Sequence, residues 1–371
     1  MRMHTADGLL RDYRQPDVFF AGKERTLLAN GADETFTEAD GLAGSVAERL
    51  AESEVPVALG AIPFTGGEAA VLIPKTLRAA GPLRADTVQV PMSVALRTGA
   101  VPGPDGHRAA VAEAVRRIRE TPELRKVVLA RTLETEFAGA VPTEVILRNL
   151  VGDNPFAYHF ATELPGATFV GASPELLVSR NGTLVRSHPL AGSARRSADP
   201  VRDKEAAAGL LSSKKDRGEH AIVVEQVVET LRPFCRKLDV PAEPSVVGTP
   251  VMWHIGTEIS GRLRDPGVTA LELAQALHPT PAVCGTPTAA AREVIGELEC
   301  FDRGYYAGAV GWVDEHGDGE WAVAIRCAEI AGPKMRLFAG GGIVADSEPD
   351  AELDETEAKF GTLLRAMGGR S

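Results

Sequence analysis

The stretch HPTPAVCGTP, from His278 to Pro287, is the feature that most restricts how this chain can fold. Its three prolines each fix φ at about −65° and lack a backbone N–H, and Gly285 can adopt φ values that other residues reach only at a cost. Helix-forming patterns flank the stretch, TALELAQAL before it and TAAAREVIGELE after it. We therefore predict an ordered helix–loop–helix connection, and the alternative is a rigid surface turn without a function.

Length and hydropathy place the chain among globular proteins. With 371 residues, 44% hydrophobic and 25% charged, it can bury a large core as one large domain or two ordinary ones. Charges interrupt every apolar run of the first thirty residues, and no later stretch reaches about 18 uninterrupted apolar residues. We expect a soluble protein that has no membrane partner.

Cysteine spacing and charge exclude two further classes of function. The four cysteines contain no CxxC pair, which argues against a thiolate metal site and favours reduced thiols in the cytoplasm. The formal net charge is −11 and no basic block occurs, so we expect no nucleic-acid partner. A small anionic substrate could still bind in a local cationic pocket.

Helical and strand patterns alternate along the chain. HRAAVAEAVRRIRET predicts an amphipathic helix, KVVLARTLETEF predicts a strand that starts on Lys126, and the NG of SPELLVSRNGTLVRS predicts a hairpin turn. RDKEAAAGLLSSKKDRGEHAIVVEQVVETLRPF is the longest helical pattern. Many antiparallel hairpins with helices between them indicate an α+β fold with helices outside stacked sheets.

Two pairs of acidic residues carry candidate chemistry. Asp216 and Glu219 are three residues apart in one predicted helix, and Glu352 and Glu355 are three apart in another, so each pair shares a helix face. If both pairs face one point, their oxygens suit Mg²⁺. The alternative is two solvated helix faces, on which Glu355 and Lys359 form an ordinary i,i+4 ion pair.

A glycine run and one arginine also attract notice. The run Gly340–Gly342 follows a predicted strand and could present consecutive N–H groups to an anion, or could be a flexible turn. Arg326 lies within the apolar pattern AVAIRCAEI, which predicts a strand. An arginine there needs a partner, either a ligand carboxylate or a structural salt bridge.

Seven segments resemble, in order and with compatible spacing, the motifs of chorismate-utilising enzymes, the group that contains isochorismate, salicylate, anthranilate and aminodeoxychorismate synthases. These segments are HPTPAVCGTP, SPELLVSR, HPLAGSARR, KKDRGEH, ELECFDRGYYAGAVGW, AIRCAEI and LFAGGGIVADSEPDAELDET. The likeness runs from about Val111 to Leu364 and is nearest to the isochorismate synthases of siderophore and menaquinone pathways. It implies an α+β fold with one α/β sandwich domain over residues 1–371, made of two large antiparallel sheets with helices outside. Residues 1–105 form its divergent part and residues 106–366 its catalytic core.

The resemblance also implies the catalytic and metal residues. Lys126 matches the general base that acts on water, and Glu175 in SPELL matches the general acid. We expect these two side chains to lie apart, because a direct ion pair would leave each in the wrong protonation state. The Mg²⁺ ligands would be Glu219 and Glu355, with Asp216 and Glu352 holding the waters of the metal.

Substrate contacts follow from the same resemblance. Arg326 and the backbone of Gly340 and Gly341 match the grip on the enolpyruvyl carboxylate. Lys359 and Gly192 match the contacts to the ring carboxylate. The remaining matched pocket positions are His254, Ala282 and Val283, of which the last two line the ring face.

The implied reaction is the Mg²⁺-dependent conversion of chorismate to isochorismate, by addition of water at C2 and loss of the C4 hydroxyl. No redox cofactor, glutaminase subunit, nucleic acid or membrane is expected to take part, and we expect a cytoplasmic monomer that feeds siderophore (2,3-dihydroxybenzoate) synthesis. The first alternative is a salicylate synthase, which goes on to eliminate pyruvate. The second is a non-catalytic anion- or metal-binding protein, which the joint presence of Lys126, Glu175 and the metal carboxylates disfavours.

Overall fold

The structure is a computed structural model that describes residues 4–84, 89–92 and 94–368. Its helices are α1 (Ala6–Asp12), α2 (Leu42–Leu50), α3 (Pro104–Glu120), α4 (Thr143–Asp153), α5 (Pro200–Ser212), α6 (Lys214–Leu231), α7 (Ala270–Leu277), α8 (Thr288–Leu298) and α9 (Pro349–Ala366). Its strands are β1 (Val18–Ala21), β2 (Thr26–Phe36), β3 (Val57–Ile62), β4 (Ala70–Ala80), β5 (Arg97–Val101), β6 (Lys126–Glu136), β7 (Tyr158–Leu164), β8 (Ala167–Ser173), β9 (Leu176–Asn181), β10 (Leu184–His188), β11 (Leu190–Arg195), β12 (Cys235–Asp239), β13 (Ser245–Gly248), β14 (Met252–Gly256), β15 (Ile259–Leu263), β16 (Gly285–Thr286), β17 (Ala309–Asp314), β18 (Gly319–Val323), β19 (Cys327–Ala331) and β20 (Lys334–Ile343).

Antiparallel pairing joins most strands into one hydrogen-bonded network. From β5 the neighbours follow in the order β6, β20, β19, β8, β7, β1, β2, β4, β3, β17, β18, β9, β10, β15 and β12. The strands β11, β14 and β13 form a separate three-stranded sheet. The predicted α+β class with antiparallel sheets is confirmed, and the two large sheets are halves of one network joined at β1–β2.

Two apolar cores place the sheets and the helices. The larger core contains Phe160 and Phe169 from one half of the network together with Leu59 and Val310 from the other half. A second core lies between the β1–β7–β8 strands and the helices α1, α4 and α9, with Phe360 among its buried side chains. Burying apolar side chains on both faces of these strands fixes their positions, at roughly 2 kcal/mol or more for each large side chain.

The predicted helix–loop–helix connection is confirmed. Helix α7 ends at Leu277, α8 begins at Thr288, and Gly285 and Thr286 between them pair with β6. Gly285 has φ +132°, and a Cβ on it would lie 2.2 Å from the carbonyl oxygen of Lys126. The glycine therefore lets the loop backbone touch the strand that carries Lys126.

Several other predicted elements have the expected bounds. Strand β6 begins on Lys126, helix α3 covers the amphipathic pattern, and β9 and β10 form the hairpin around Gly182. Helix α9 begins at Pro349, so Glu352 lies in its first turn.

The prediction of one long helix in the middle of the chain was wrong. The pattern divides at Ser213, whose ψ of 118° is not helical. The hydroxyl of Ser213 accepts a hydrogen bond from the N–H of Asp216 and so caps α6. Asp216 is consequently in the first turn of α6, and Glu219 follows one turn later.

Two local predictions also need correction. The run Gly340–Gly342 is neither an anion-binding nest nor a turn, because it lies within β20 and pairs with β6 through residues Ala130, Leu129 and Val128. Arg326 is not in a strand but in the short connection between β18 and β19, where it has φ +53°. A left-handed conformation at a non-glycine residue is uncommon and turns this side chain away from the strand direction.

The remaining class-level expectations concern membranes and thiols. None of the helices in the described part of the chain is long and apolar enough to cross a membrane. Cys235, Cys284 and Cys327 are buried free thiols, and Cys300 is exposed and free.

Candidate active site

Most of the predicted site residues line one cavity, which we call the Glu175 cavity. Its walls come from β6 and β20, the loop before α8, β11 and β14, and the helices α6 and α9. Ten predicted residues line it, namely Glu175, Gly192, Glu219, His254, Ala282, Val283, Arg326, Gly340, Glu355 and Lys359. The structure thus brings together residues that are up to 184 positions apart in the sequence, from 175 to 359.

The other four predicted residues lie directly behind this wall. Lys126 is fully buried and contacts Glu219. Asp216 lies against Gly192, where an added Cβ would come within 3.0 Å of the Asp216 Cβ. Gly341 lies beside Glu352, because an added Cβ would come within 3.0 Å of the Glu352 Oε2.

The glycine run makes room for these side chains. A Cβ on Gly342 would lie 2.3 Å from the Glu219 Oε1 and 2.8 Å from the Lys126 Cε. A Cβ on Gly340 would lie 2.7 Å from the hydroxyl oxygen of Tyr306. The run is therefore required by close approach to functional side chains, and not by an unusual backbone conformation.

Lys126 forms an ion pair with a predicted metal ligand. Its Nζ lies 2.8 Å from the Oε1 of Glu219, although the approach is too poorly aligned to form a hydrogen bond. Both side chains are buried, Lys126 completely and Glu219 with about 8% exposure. The ion-pair partner of Lys126 is thus Glu219 and not Glu175, as the predicted separation of base and acid requires.

Glu175 is in the environment that a general acid needs. It is 3% exposed, and its Oε1 accepts one hydrogen bond of 3.3 Å from the backbone N–H of Leu190. Burial raises the pKa of Glu175 from 4.5 to about 7, against the opposing effects of the Leu190 hydrogen bond and of the charges of Lys126, Lys359 and Arg326. A carboxyl with this pKa is substantially protonated at neutral pH and can donate a proton.

Arg326 belongs to a buried hydrogen-bonded network. Its Nη2 donates to the Nε2 of His254 at 3.0 Å, and the Nδ1 of His254 lies 3.1 Å from the Ser193 Oγ. Because an arginine can only donate, Nε2 accepts and the proton of the imidazole is on Nδ1. Burial and the Arg326 charge hold the pKa of His254 well below its usual range, so the ring is neutral.

No structural salt bridge accounts for Arg326. Among the described residues, no carboxylate lies within 4.0 Å of its guanidinium, which is 6% exposed and lines the Glu175 cavity. Burial lowers the pKa of Arg326 to about 10, so it remains charged at neutral pH. A buried cation without a carboxylate partner can accept the carboxylate of a ligand.

Lys359 is on α9, and its backbone carbonyl oxygen accepts a hydrogen bond of 3.5 Å from the Arg326 Nη1. Its Nζ donates to the carbonyl oxygen of Gly340 at 2.7 Å and contacts the Glu355 Oε1 at 2.5 Å. The i,i+4 ion pair that the solvated-face alternative described is therefore present. However, Lys359 and Glu355 line the cavity with side-chain exposures of 14% and 22%, so they are not on a solvated face.

The four predicted metal carboxylates repel one another. Burial raises the pKa of Glu352, and the charge of Glu355 raises it further. Burial also raises the pKa of Asp216, and the charges of Glu219 and Glu355 add to this rise. Lys215 donates to the Glu352 Oε1 at 2.8 Å, while the Oε2 of Glu352 is buried and finds no hydrogen-bond partner in the described part of the chain.

This donor set suits a hard cation. In the described part of the chain no three Asp, Glu, His or Cys side chains are already placed as a metal site, and lysines balance three of the four carboxylates. The oxygens are nevertheless of the type that Mg²⁺ prefers, the Glu352 Oε2 has no hydrogen-bond partner among the described residues, and neighbouring carboxylates add to the effect of burial in raising the pKa values of Glu352 and Asp216. The residues therefore fit a divalent cation.

Sequence reasoning missed an apolar wall of the cavity. The ring of Tyr306 stacks on that of Phe338, with centroids 4.9 Å apart and an angle of 8° between the planes. The missed lining residues are Val128, Pro174, Leu190, Ala191, Ser193, Tyr306, Ile325, Phe338 and Ala339. Nearly all of these residues are next in sequence to a predicted site residue or within a family motif. Their position beside the predicted residues was the sequence signal that could have identified them.

Comparisons with known proteins give a consistent result. Residues 76–368 match the family model described as chorismate binding enzyme. Isochorismate synthase DhbC of Bacillus subtilis (strain 168) is 47% identical over 98% of this chain and 96% of that protein. The vibriobactin-specific isochorismate synthase of Vibrio cholerae is 40% identical over 99% of this chain and 95% of that protein.

A solved structure agrees with both sequences. The crystal structure of "putative 2,3-dihydroxybenzoate-specific isochorismate synthase, DhbC from Bacillus anthracis" has a TM-score of 0.94 and 43% identity, over 98% of this chain and 100% of that one. The resemblance predicted from the seven segments is thereby confirmed. With a family match over residues 76–368 and full-length relatives above 30% identity, this chain belongs to the chorismate binding enzyme family.

Proposed function

We propose that this chain is an isochorismate synthase, an isomerase that converts chorismate to isochorismate with Mg²⁺. The observation that carries the proposal is Glu175, a buried carboxyl whose pKa is raised to about 7 and which lines the same cavity as Arg326 and Lys359. An acid with this pKa suits protonation of a leaving hydroxyl at neutral pH. The two isochorismate synthases at 47% and 40% identity support the same reaction.

The charged residues of the cavity would hold the two carboxylates of chorismate. Arg326, for which the described residues provide no carboxylate partner, would bind the enolpyruvyl carboxylate beside the backbone of Gly340 and Gly341. Lys359 and the backbone of Gly192 would contact the ring carboxylate. His254 accepts a hydrogen bond from Arg326 and so orients the Arg326 guanidinium. Ala282 and Val283 would contact the ring of the substrate.

Two side chains would transfer protons. Lys126 would take a proton from water as the water oxygen bonds to C2 and the ring double bonds shift, and it must first release the proton that its ion pair with Glu219 favours. Glu175 would give its proton to the C4 hydroxyl, which leaves as water. One water enters and one leaves, so substrate and product are isomers and no oxidant or reductant is required.

The carboxylates of Glu219 and Glu355 would hold Mg²⁺, with Asp216 and Glu352 bound to its waters. When bound, the ion would orient the ring carboxylate and neutralise its charge. The clustering of these carboxylates, which raises the pKa values of Asp216 and Glu352 further than burial alone, supports this assignment.

The relatives also support a place in metabolism. One similar structure is described as 2,3-dihydroxybenzoate-specific and one relative as vibriobactin-specific, so we propose that the isochorismate is used for siderophore synthesis. We further propose a single-domain cytoplasmic monomer that works without a glutaminase subunit.

Incubation with chorismate and Mg²⁺, with the products separated by chromatography, tests the proposal. We expect isochorismate alone, in reversible equilibrium with chorismate. Salicylate together with an equal amount of pyruvate would instead identify a salicylate synthase. Unchanged chorismate under these conditions would contradict both activities.

A further inference from the structure

A buried ion pair lies immediately behind the Glu175 cavity, and the proposed reaction does not use it. Arg303 and Glu299 are 3% and 4% exposed in their side chains. The Nε of Arg303 donates to the Glu299 Oε2 at 2.8 Å, and Nη2 contacts the Glu299 Oε1 at 2.5 Å. Burying both charges is costly, so a pair kept in this position needs further partners.

Those partners belong to two walls of the cavity. The Nη1 of Arg303 donates to the carbonyl oxygen of Val283 at 2.8 Å, and Nη2 donates to the carbonyl oxygen of Val128 at 2.8 Å. The Glu299 Oε1 accepts from the N–H of Ala130 at 2.7 Å. Val283 is in the loop before α8 and Val128 is in β6, and both line the Glu175 cavity.

The geometry of a guanidinium explains why this contact matters. Its N–H groups have fixed directions in one plane, so bonding both carbonyls at once fixes the spacing between loop and strand. The guanidinium of Arg303 also lies over the ring of Phe64, 4.3 Å from the ring centroid, and this contact further limits where the guanidinium can move.

The centre of the loop has few other attachments. Its C-terminal end is attached to β6 through Cys284 and Thr286, and the His278 ring at its other end contacts backbone carbonyls of residues 63 and 64. For residues 279–283, the bond from Arg303 is the one hydrogen bond that the described residues outside the loop provide. Apart from the apolar packing of Ala282 and Val283 in the larger core, the bond from Arg303 is therefore the contact that positions the centre of the loop.

We infer that Arg303 and Glu299 are a positioning pair that fixes the separation of the Val283 and Val128 walls, and thereby the fit of the substrate ring. The inference rests on the proposed function. Arg303 does not touch the cavity itself but acts through the two valines. Lys126 should be little affected, because β20 pairs with β6 from Val127 to Glu136 and the Lys126 side chain is paired with Glu219.

The substitution Arg303→Lys tests the inference. One ammonium cannot reach both carbonyls and both carboxylate oxygens from the same position, so the walls should separate while the charge is kept. We expect the KM for chorismate to rise about tenfold or more and kcat to fall less than about threefold, because ring contacts are made in ground and transition states alike. Amide exchange in residues 280–286 should also become faster.

Arg180→Lys is the matched control. Arg180 is 5% exposed, pairs with Asp318 and donates to the backbone carbonyls of residues 266 and 316, away from the Glu175 cavity. We expect both variants to lower Tm and only Arg303→Lys to change KM. An Arg303→Lys enzyme with a lowered Tm and an unchanged KM would overturn the inference, since the pair would then be merely structural.

A second variant keeps the inference testable if Arg303→Lys fails to fold. Glu299→Gln keeps an acceptor for Ala130 but removes the negative charge, and it should raise KM in the same direction by a smaller factor. If Arg303→Lys does not fold, an unchanged KM in Glu299→Gln overturns the inference. If the wild type leaves chorismate unchanged, the proposed function fails by itself, and exchange at residues 280–286 still decides whether Arg303 positions the loop.

Discussion

Replacing Glu175 by glutamine should lower kcat about 10²-fold or more and, above neutral pH, stabilise the protein. Burial raises the pKa of this carboxyl from 4.5 to about 7, so the folded state binds its proton more tightly than the unfolded chain does. The resulting stability is fully present below pH about 4.5 and is lost as pH rises through about 7. Glutamine remains neutral at every pH and keeps an acceptor for the N–H of Leu190.

The size of the stability difference follows from the pKa shift of Glu175. Each pKa unit corresponds to about 1.4 kcal/mol, so a rise from 4.5 to about 7 predicts a cost of roughly 3 kcal/mol at pH 8 or above. For a chain of 371 residues this corresponds to about 4 °C in Tm. The kcat should fall about 10²-fold or more, because a positioned proton donor is lost.

Denaturant unfolding of both proteins between pH 4.5 and 8 measures the effect. Comparing the two at each pH cancels the titration of all other groups, and the advantage of the variant should grow with pH. Glu320→Gln is the control: burial also raises the pKa of Glu320 to about 7, but this residue lies outside the Glu175 cavity, so its variant should gain stability and keep activity. A stability difference between Glu175→Gln and wild type that stays constant with pH would refute the assignment of Glu175 as a protonated acid.

Three further predictions concern the rest of the site. Lys126→Gln should lower kcat about 10²-fold or more with little change in substrate affinity, and a near-normal kcat would remove Lys126 as the base. Arg326→Ala should raise KM about 10- to 100-fold, as expected when a charged hydrogen-bonded contact is lost; an unchanged KM would exclude a substrate contact. Glu219→Ala and Glu355→Ala should each abolish turnover while circular dichroism shows a folded protein. Full turnover of either variant in the presence of a chelator would contradict the metal assignment.

The features that could be predicted from the sequence are those with a local cause. The prolines and Gly285 determine the loop before α8, Pro349 marks the start of α9, and the apolar run beginning at Lys126 predicts β6. Each depends on the conformational preference of a few neighbouring residues. That the site residues lie in one cavity was implied by the family resemblance. The spacing of two carboxylates within one helix cannot show which other helix that pair faces.

The sequence-based predictions that were wrong concern features with non-local causes or with only weak local causes. The division at Ser213 depends on one hydroxyl capping α6 within a pattern that is otherwise helical. The left-handed Arg326 has no sequence signal, since its backbone is held by the strands on both sides. The glycine run suggested a turn because glycine is common in turns, whereas here the neighbouring side chains leave no room for a Cβ.

Glu219 shows why these features depend on one another. Its Oε1 contacts the Lys126 Nζ at 2.8 Å, and a Cβ on Gly342 would lie 2.3 Å from that Oε1 and 2.8 Å from the Lys126 Cε. A carboxylate has two oxygens and about four acceptor positions, so Glu219 can pair with Lys126 and still offer oxygen to a cation. The proposed base, the proposed metal ligand and the glycine strand between them therefore form a single arrangement. A larger residue at position 342 should disturb both proposed roles at once, although a glycine there has no functional group of its own.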